Sequence, residues 1–145
     1  MERTTFPGTL DSLEGIRLVV KEQAQQAGLA KKPTYALLLA VDEIATNIIT
    51  HGYDENGGSG PVDVLISHAD GKLSVTLEDD AVAFDPLKHT LPDEQFFAQP
   101  LENRPIGGMG IHLTLNGVDE FKYEYVNHRN RNTFIMKTEP ASAPA

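Results

Sequence analysis

The feature of the sequence that most constrains its fold is a mostly apolar segment, Tyr35 to Tyr53, which follows Pro33 and contains Gly52 near its end. Proline is favoured in the first turn of a helix and glycine just beyond the last, so these residues predict a helix start and a helix stop. A wide apolar face predicts that this helix packs against a core. The face comprises Leu37, Leu38, Val41, Ile44, Ala45, Ile48 and Ile49.

A line of polar residues runs along one edge of this predicted helix. Glu43, Asn47 and His51 stand at i, i+4 and i+8, which places them on one side of a helix. The amide oxygen of Asn47 suits a hard cation such as Mg²⁺. The Glu43 carboxylate, one turn earlier, can accept a proton from an attacking hydroxyl or water. A helix edge that faces solvent would show the same spacing. The pattern alone therefore does not distinguish a solvent-exposed surface from a functional site.

Composition narrows the classes of function. A chain of 145 residues is the size of one domain, expected to span residues 1–138 with a disordered tail at 139–145. The lack of cysteine excludes disulfides and a thiol nucleophile, and it is compatible with the cytoplasmic location that we expect. A net charge of −9 argues against a nucleic-acid partner, because binding a phosphate backbone needs a basic field. The polar start and the lack of a long apolar run predict neither a signal peptide nor a membrane segment.

The remaining periodicity predicts an α+β fold. Asp11, followed by Glu14, is typical of a helix N-cap, and Gly28 of a helix end. Two hairpins are predicted, with turns at Asp70-Gly71 and at 128–131. Strands are expected at 2–7, 62–68, 72–79, 118–126 and 132–138, and helices at 11–27, at 35–52 and just before 116. This order indicates a two-layer sandwich, with helices on one face of a mixed or antiparallel sheet.

Two further clusters point to a ligand. Asp79 stands where the strand 72–79 ends, and a carboxylate there can accept a hydrogen bond from an exocyclic amine such as that of adenine. Asp is also a common turn residue. Gly107, Gly108 and Gly110 precede a short apolar stretch, and glycines at a helix start expose backbone N–H groups to a phosphate. Ordinary turns also use glycine, so neither cluster is specific alone.

Taken in order, the three clusters resemble the GHKL nucleotide-binding superfamily, whose members share the Bergerat ATP-binding fold. The likeness runs from about residue 5 to residue 138, and within the superfamily it is strongest to the small bacterial anti-sigma-factor serine/threonine-protein kinases. The matching motifs are Glu43-x-x-x-Asn47 for the N-box, Asp79-x-Ala81 with Phe84-Asp85-Pro86 for the first glycine box, and Gly107-Gly108-x-Gly110 for the second.

The resemblance implies a role for each residue of the first two motifs. Glu43 would be the general base that activates an acceptor serine. Asn47 would bind the Mg²⁺ that bridges the phosphates of ATP. Asp79 would accept a hydrogen bond from the adenine amine, with Ala81 and Phe84 beside the base.

The resemblance also implies a lid and partners. The segment 85–106, in which the periodicity fails, would be the ATP lid, and Gly107, Gly108 and Gly110 would let the next helix begin close to the phosphates. The implied function is partner switching. Phosphorylation of a STAS-type anti-sigma-factor antagonist would free the kinase from the antagonist. The ATP-bound kinase would then sequester a sigma factor. Such kinases are homodimers.

One residue departs from the family pattern. The first glycine box usually reads Asp-x-Gly, whereas Ala81 stands at its third position. Alanine in a left-handed backbone would cost about 1–2 kcal/mol, and in an ordinary backbone its methyl group would crowd the purine. Ala81 therefore supports an alternative, a nucleotide-binding regulatory module without phosphotransfer. A histidine-kinase catalytic domain or an ATP-driven clamp is disfavoured, because those proteins carry additional domains.

Overall fold

A computed structural model describes residues 2–54, 57–86 and 115–138. It confirms the α+β fold, since two long helices lie against a five-stranded sheet. Gly107, Gly108 and Gly110, the predicted lid beyond residue 86, and the predicted tail 139–145 lie outside these ranges. No helix within them is long and apolar enough to cross a bilayer.

The sheet is antiparallel throughout. Its strands are β1 Glu2–Pro7, β2 Pro61–Ala69, β3 Lys72–Asp79, β4 Glu120–Val126 and β5 Arg129–Lys137. They run in the order β1-β2-β3-β5-β4, so β3 is central. The register pairs Asp79 of β3 with Asn130 of β5, and Leu77 with Asn132. Since side chains alternate along a strand, these four lie on the same face of the sheet.

Two helices cover that face. A 3₁₀ turn, Leu10–Ser12, leads into α1, Leu13–Gln26, and α2 spans Lys31–Asn47 before it continues as a π-helix, Ile48–Tyr53. α1 packs on α2 and β2, and α2 packs on β5. α2 begins earlier than predicted and has Pro33 in its first turn, where the missing N–H is not needed.

The start of α1 differs from the prediction, whereas its end agrees. Asp11 is not an N-cap, because it lies inside the 3₁₀ turn. Ser12 takes the position before α1, and its hydroxyl donates to the Pro7 carbonyl (2.6 Å) instead of capping the helix. The predicted end at Gly28 is confirmed, since this glycine follows α1 with φ +79°, a conformation that favours glycine.

The hydrophobic core lies between the helices and the sheet. The apolar face predicted for α2 is confirmed, except that Leu38 is only half-buried. Fully burying one such side chain contributes roughly 1.5–3 kcal/mol, so this face fixes how α2 lies on the sheet. The largest fully buried side chains are Phe134, Ile16, Leu37, Ile44, Ile49, Leu73 and Leu77.

Both hairpins have two-residue turns in the left-handed conformation. Asp70 and Gly71 have φ values of +55° and +72°, as their sequence predicts. The second turn is at Asn127 (φ +55°) and His128 (φ +63°), so the predicted turn at 128–131 is wrong. This difference matters because it places Arg129, Asn130 and Arg131 inside β5.

The face of the sheet away from the helices carries a network of ion pairs centred on Arg129. Its guanidinium donates to Asp63 (3.0 Å), Glu78 (2.8 Å) and Asp80 (2.6 Å). Arg3 adds a second cation to Asp63 at 2.8 Å. The Asp63 and Glu78 side chains are only 9% and 10% exposed, so the network is partly shielded from solvent.

Candidate functional site

A cleft opens between the last turn of α2, the π-helix, the end of β3 and the beginning of β5. It holds about 280 Å³ of space between atoms, part of it continuous with solvent. Four of the site residues expected from the sequence line it, namely Asn47, Asp79, Ala81 and Phe84. Its other lining residues are Ile44, Ile48, Gly52, Val82, Pro86, Asn130 and Asn132.

Three buried polar atoms at this cleft have no hydrogen-bond partner among the described residues. They are Asn47 Nδ2, Asp79 Oδ2 and Asn132 Oδ1. The three residues are at most 5% exposed. A buried polar atom without a partner costs about 1–3 kcal/mol, so such atoms are rare unless a ligand pairs with them. Their gathering in one cleft indicates a polar ligand.

Asp79 is held rigidly at the end of β3. Its Oδ1 accepts hydrogen bonds from the Ala81 N–H and from Asn130 Nδ2, both at 2.9 Å. Burial raises the pKa of the Asp79 carboxyl, although these two hydrogen bonds and the nearby Arg129 partly offset the rise. Its Oδ2 is left as an acceptor for a ligand that carries an N–H.

Asn130 joins β5 to the chain that leaves β3. Its Nδ2 donates to Asp79 Oδ1 and to the carbonyls of Ala81 (3.2 Å) and Val82 (2.9 Å). Its Oδ1 accepts from the Phe84 N–H at 3.0 Å and from the Tyr123 hydroxyl. Asn130 therefore fixes both Asp79 and the segment that begins the expected lid.

Sequence reasoning missed Asn130 and Asn132, because it assigned 128–131 to a turn and gave Asn132 no role. The available signal was Asn127-His128, since Asn tolerates the left-handed conformation and a two-residue turn there starts β5 at Arg129. With that start, strand alternation places both asparagines on the same face as Asp79.

Tyr53, the last residue of the π-helix, contacts the chain just after the end of β3. The Tyr53 hydroxyl donates to the Pro61 carbonyl and accepts from the Asp80 N–H, each at 2.8 Å. Burial raises the pKa of Tyr53 to about 12, so the hydroxyl stays protonated and keeps both bonds. Tyr53 thus ties the segment that follows Asn47 to the segment that follows Asp79, and π-helical turns frequently occur at functional sites.

Ala81 has an ordinary backbone, so no left-handed strain arises. The non-glycine residues with positive φ within the described ranges are Asp70, Asn127 and His128. The Ala81 methyl group lines the cleft and faces Gly52, where an added Cβ would lie 2.9 Å from it. The departure from Asp-x-Gly therefore acts through volume alone.

Phe84 closes one end of the cleft. Its N–H donates to Asn130 Oδ1 and to the Tyr123 hydroxyl (3.2 Å). Its ring stacks on the His51 imidazole, with centroids 6.5 Å apart and planes inclined by 19°. His51, the last member of the polar line predicted with Glu43 and Asn47, lies in the π-helix and packs at the rim of the cleft.

Glu43 lies one helical turn before Asn47, half-buried and outside the lining of the cleft. Burial raises the pKa of its carboxyl, the adjacent Asp42 raises it further, and Asn47 and His51 oppose the rise. Asn47 is close enough to lower this pKa, but its Nδ2 completes no hydrogen bond of ordinary geometry. The pKa of Glu43 therefore lies above the ordinary value for a glutamate, a direction that favours proton acceptance by the carboxylate.

The described residues hold no group of three or more His, Asp or Glu side chains that could bind a metal alone. Asn47 nevertheless fits Mg²⁺ that arrives with a nucleotide, because its buried side chain lines the cleft and ends in an amide oxygen. The Asn47 atom without a partner among the described residues is Nδ2, a donor, which cannot ligate a cation. Mg²⁺ in nucleotide sites typically takes one or two protein oxygens, with phosphates and waters as its other ligands.

The sequence is similar to those of known kinases. Over 133 residues the chain is 25% identical to the serine-protein kinases RsbW of Bacillus thuringiensis (strain Al Hakam) and Bacillus cereus (strain 03BB102), covering 90% of this chain and 79% of each relative.

Solved structures share the fold. The histidine kinase domain of the Erythrobacter litoralis EL346 blue-light activated histidine kinase has a TM-score of 0.54 at 15% identity, over 87% of this chain and 60% of that one. The Acinetobacter baumannii histidine kinase AdeS has a TM-score of 0.52 at 10% identity, over 97% and 70%. Residues 6–138 match the family described as histidine kinase-like ATPase domain, and the chain therefore belongs to that family of GHKL kinase domains.

Proposed function

We propose that this chain is an ATP-dependent serine/threonine-protein kinase whose base-binding cleft lies between α2 and the end of β3. Membership of an ATPase-domain family implies that the chain binds ATP. The observation that carries the proposal is that Asn47 and Asp79, from different elements, line one cleft, in which the buried Asp79 Oδ2 has no hydrogen-bond partner among the described residues. Serine specificity is supported by the relatives at 25% identity that are serine-protein kinases.

In this proposal the cleft binds the nucleotide by its base. Asp79 Oδ2 accepts a hydrogen bond from the adenine amine, and the Ala81 methyl and the Phe84 ring border the base. Bound Mg²⁺, held by the Asn47 amide oxygen, would neutralise charge on the phosphates. Gly107, Gly108 and Gly110 are proposed as the phosphate contacts, through exposed backbone N–H groups.

Glu43 is the proposed general base. Its carboxylate accepts the proton of the acceptor hydroxyl while the hydroxyl oxygen attacks the γ-phosphate, and the bond from the γ-phosphorus to the bridging oxygen breaks so that ADP leaves. Glu43 lies one turn before Asn47 on α2 and outside the lining of the cleft, and we propose that the phosphates of ATP lie near it.

The proposed partners follow from the same resemblance. The acceptor serine belongs to a STAS-type anti-sigma-factor antagonist, and the protein bound in the ATP state is a sigma factor. We propose a cytoplasmic homodimer that exchanges these two partners.

The test is phosphoryl transfer from labelled ATP to a candidate antagonist. Wild-type protein is expected to label the antagonist, and Glu43→Gln to abolish labelling while it keeps ATP binding. Glu14→Gln, on the exposed side of α1, is the matched control and should leave labelling unchanged. Full labelling by the Glu43→Gln variant would contradict the proposed base.

A second candidate is a regulatory module that binds the nucleotide without phosphotransfer. The observation that favours it is the Ala81 methyl group in the wall of the cleft. Such a module would bind ATP by calorimetry, would change its affinity for a partner with the nucleotide bound, and would label no antagonist. The labelling experiment therefore separates the two candidates.

A further inference from the structure

Tyr53 is a buried residue to which the proposed chemistry gives no role. It is 3% exposed, and it is absent from the lining of the cleft. Its hydroxyl donates to the Pro61 carbonyl and accepts from the Asp80 N–H, each at 2.8 Å. A phenylalanine would bury the same ring without these two bonds. The hydroxyl therefore has a role for which packing alone does not account.

The two hydrogen bonds lie where β2 and β3 stop pairing with each other. The register pairs Val62 with Asp79, the last residue of β3, and would set Pro61 opposite Asp80. The Tyr53 hydroxyl bridges these two opposed residues. The backbone N–H that follows Asp79 is thus held by a side chain of the π-helix rather than by the neighbouring strand.

This N–H belongs to the peptide unit that joins Asp79 to Asp80. Because a peptide unit is planar, holding its N–H fixes the direction of the backbone just after Asp79. The next N–H, that of Ala81, donates to Asp79 Oδ1 at 2.9 Å, so the path of this short turn also sets the rotation of the carboxylate. The Tyr53 hydroxyl therefore acts on Asp79 through two consecutive backbone amides, from outside the cleft.

The tyrosine ring is itself held in place by two glycines. A Cβ added to Gly8 would lie 2.9 Å from the ring of Tyr53, and one added to Gly60 would lie 2.8 Å from its hydroxyl oxygen, closer than Cβ atoms approach other atoms. The Gly8 N–H also donates to the Gly60 carbonyl at 2.9 Å. Backbone therefore packs directly against the ring, and the hydroxyl is a stiff support for the turn after β3.

We infer that Tyr53 is a positioning residue for base recognition, whose hydroxyl sets the direction in which Asp79 Oδ2 meets the amine of adenine. This inference rests on the proposed function of the cleft and adds to it a specificity determinant that lies outside the cleft. A hydroxyl that served the fold alone would affect the binding of every nucleotide alike. A hydroxyl that orients Asp79 affects only a base that carries the amine.

The test compares three variants and two nucleotides. Tyr53→Phe removes the hydroxyl, and Tyr35→Phe is the matched control, because Tyr35 is 65% exposed on α2. Gly60→Ala crowds the Tyr53 hydroxyl and leaves the tyrosine in place, which keeps the test valid if Tyr53→Phe does not fold. Calorimetry gives dissociation constants for ATP and for purine riboside triphosphate, which lacks only the amine. Hydrogen exchange of the Asp80 N–H is measured without nucleotide.

Wild-type protein is expected to bind ATP more tightly than purine riboside triphosphate. Tyr53→Phe should weaken ATP binding about three- to tenfold, because the hydrogen bond between Asp79 and the amine is misaligned, and should change purine riboside triphosphate binding less than about twofold. Gly60→Ala should show the same selectivity, and Tyr35→Phe should change neither constant. Without nucleotide, the Asp80 N–H should exchange about tenfold faster in Tyr53→Phe, because it has lost its acceptor.

Equal weakening of both nucleotides by Tyr53→Phe, or no weakening of either, would overturn the inference and leave ATP binding intact. Unchanged exchange of the Asp80 N–H would overturn it as well, because the hydroxyl would then not hold that amide. If wild-type protein bound the two nucleotides with equal affinity, Asp79 would not read the amine and would need no positioning for it. If wild-type protein bound neither nucleotide, the proposed function itself would fail.

Discussion

Asn130 and Asp79 face each other across β5 and β3, and the asparagine Nδ2 donates to the aspartate Oδ1 at 2.9 Å. The Ala81 N–H donates to the same oxygen at 2.9 Å. One carboxylate oxygen is thus doubly engaged, while the other is left for the cleft. This division orients the acceptor before a ligand binds, and such preorganisation favours affinity.

Replacing Asn130 with alanine tests this arrangement. Asn130→Ala removes the donor to Asp79 and to two backbone carbonyls. We expect a loss of about 2 kcal/mol in the free energy of unfolding, because buried groups lose their partners, and ATP binding about tenfold weaker. Denaturant unfolding and calorimetry measure the two effects. Lys122→Ala, exposed on β4, is the control and should change neither. If the Asn130 variant bound ATP with unchanged affinity, Asp79 would not need the hydrogen bond from Asn130 to bind ATP.

Much of the fold could be predicted because its strongest signals are local. Asp70-Gly71 requires the left-handed backbone that it adopts, and the alternation of 72–79 marks the central strand. The apolar face of Tyr35–Tyr53 predicts a helix that packs against the core, and this face is buried there in the structure. The π-helical turn at Ile48–Tyr53 could not be predicted, because a π-helix shares its residue types with an α-helix.

The site was only partly predictable because the first half of β5 breaks the alternation rule. Its inward residues, Asn130 and Asn132, are polar because they face a cleft, and its outward residues, Arg129 and Arg131, are polar because they pair with carboxylates. A run that is polar on both faces looks like a loop. The tertiary contacts that make it a strand come from β3, which is far away in sequence.

The proposed base makes the rate depend on pH. Burial is the main cause that raises the pKa of Glu43, and the charge of Asp42 adds to it. The carboxylate must be ionised to accept a proton, so kcat should fall on the acid side at a pH above the ordinary value for a glutamate. Asp42→Asn removes a negative charge that raises the pKa, so it should move this fall to lower pH. The measurement is kcat for antagonist labelling over a range of pH.

His51→Ala should shift the acid-side fall of kcat in the opposite direction, because the charge of His51 lowers the pKa of Glu43. Its removal should move the acid-side fall of kcat to higher pH. Shifts in the same direction for the two variants would contradict the assignment of this fall to Glu43.

Arg129 should stabilise the fold more than an ordinary surface arginine. Arg129→Met leaves the shielded carboxylates of Asp63 and Glu78 with fewer partners, at an expected loss of about 2–4 kcal/mol in denaturant unfolding. Arg17→Met is the matched control, because Arg17 pairs with Asp42 while both side chains are largely exposed, 48% and 38%. That variant should lose less than about 1 kcal/mol. Equal losses would show that the network adds no more than an exposed pair.

The same network gives the stability a pH dependence. Burial alone would raise the pKa of Asp63, but hydrogen bonds from Thr5 and Arg129 and the charges of Arg129 and Arg3 outweigh it and hold the pKa below the ordinary value. A carboxyl with a lowered pKa in the folded state stabilises above its unfolded pKa and loses this contribution as the pH falls through its folded pKa. The free energy of unfolding of the Asp63→Asn variant should therefore depend less on pH than that of wild type below about pH 4. A slope equal to that of wild type would exclude Asp63 as its source.

Gly52 and Ala81 share one wall of the cleft, and their combined volume should govern how ATP fits. A Cβ on Gly52 would lie 2.9 Å from the Ala81 Cβ, closer than such atoms approach each other. Gly52→Ala should therefore lower the free energy of unfolding by about 1–3 kcal/mol through overpacking. Ala81→Gly should tighten ATP binding in calorimetry, because it removes the methyl group that borders the base.

The double variant Gly52→Ala with Ala81→Gly separates crowding from other effects. It moves the methyl group from one residue to the other, so the clash disappears and the free energy of unfolding should recover most of the loss caused by Gly52→Ala alone. Two residues in contact are expected to show such coupling, whereas independent sites give additive losses. Additive losses would mean that the two residues do not touch in solution. If Ala81→Gly left ATP binding unchanged or weaker, the methyl group would not be what restricts the cleft, and the second candidate function would lose the observation that favours it.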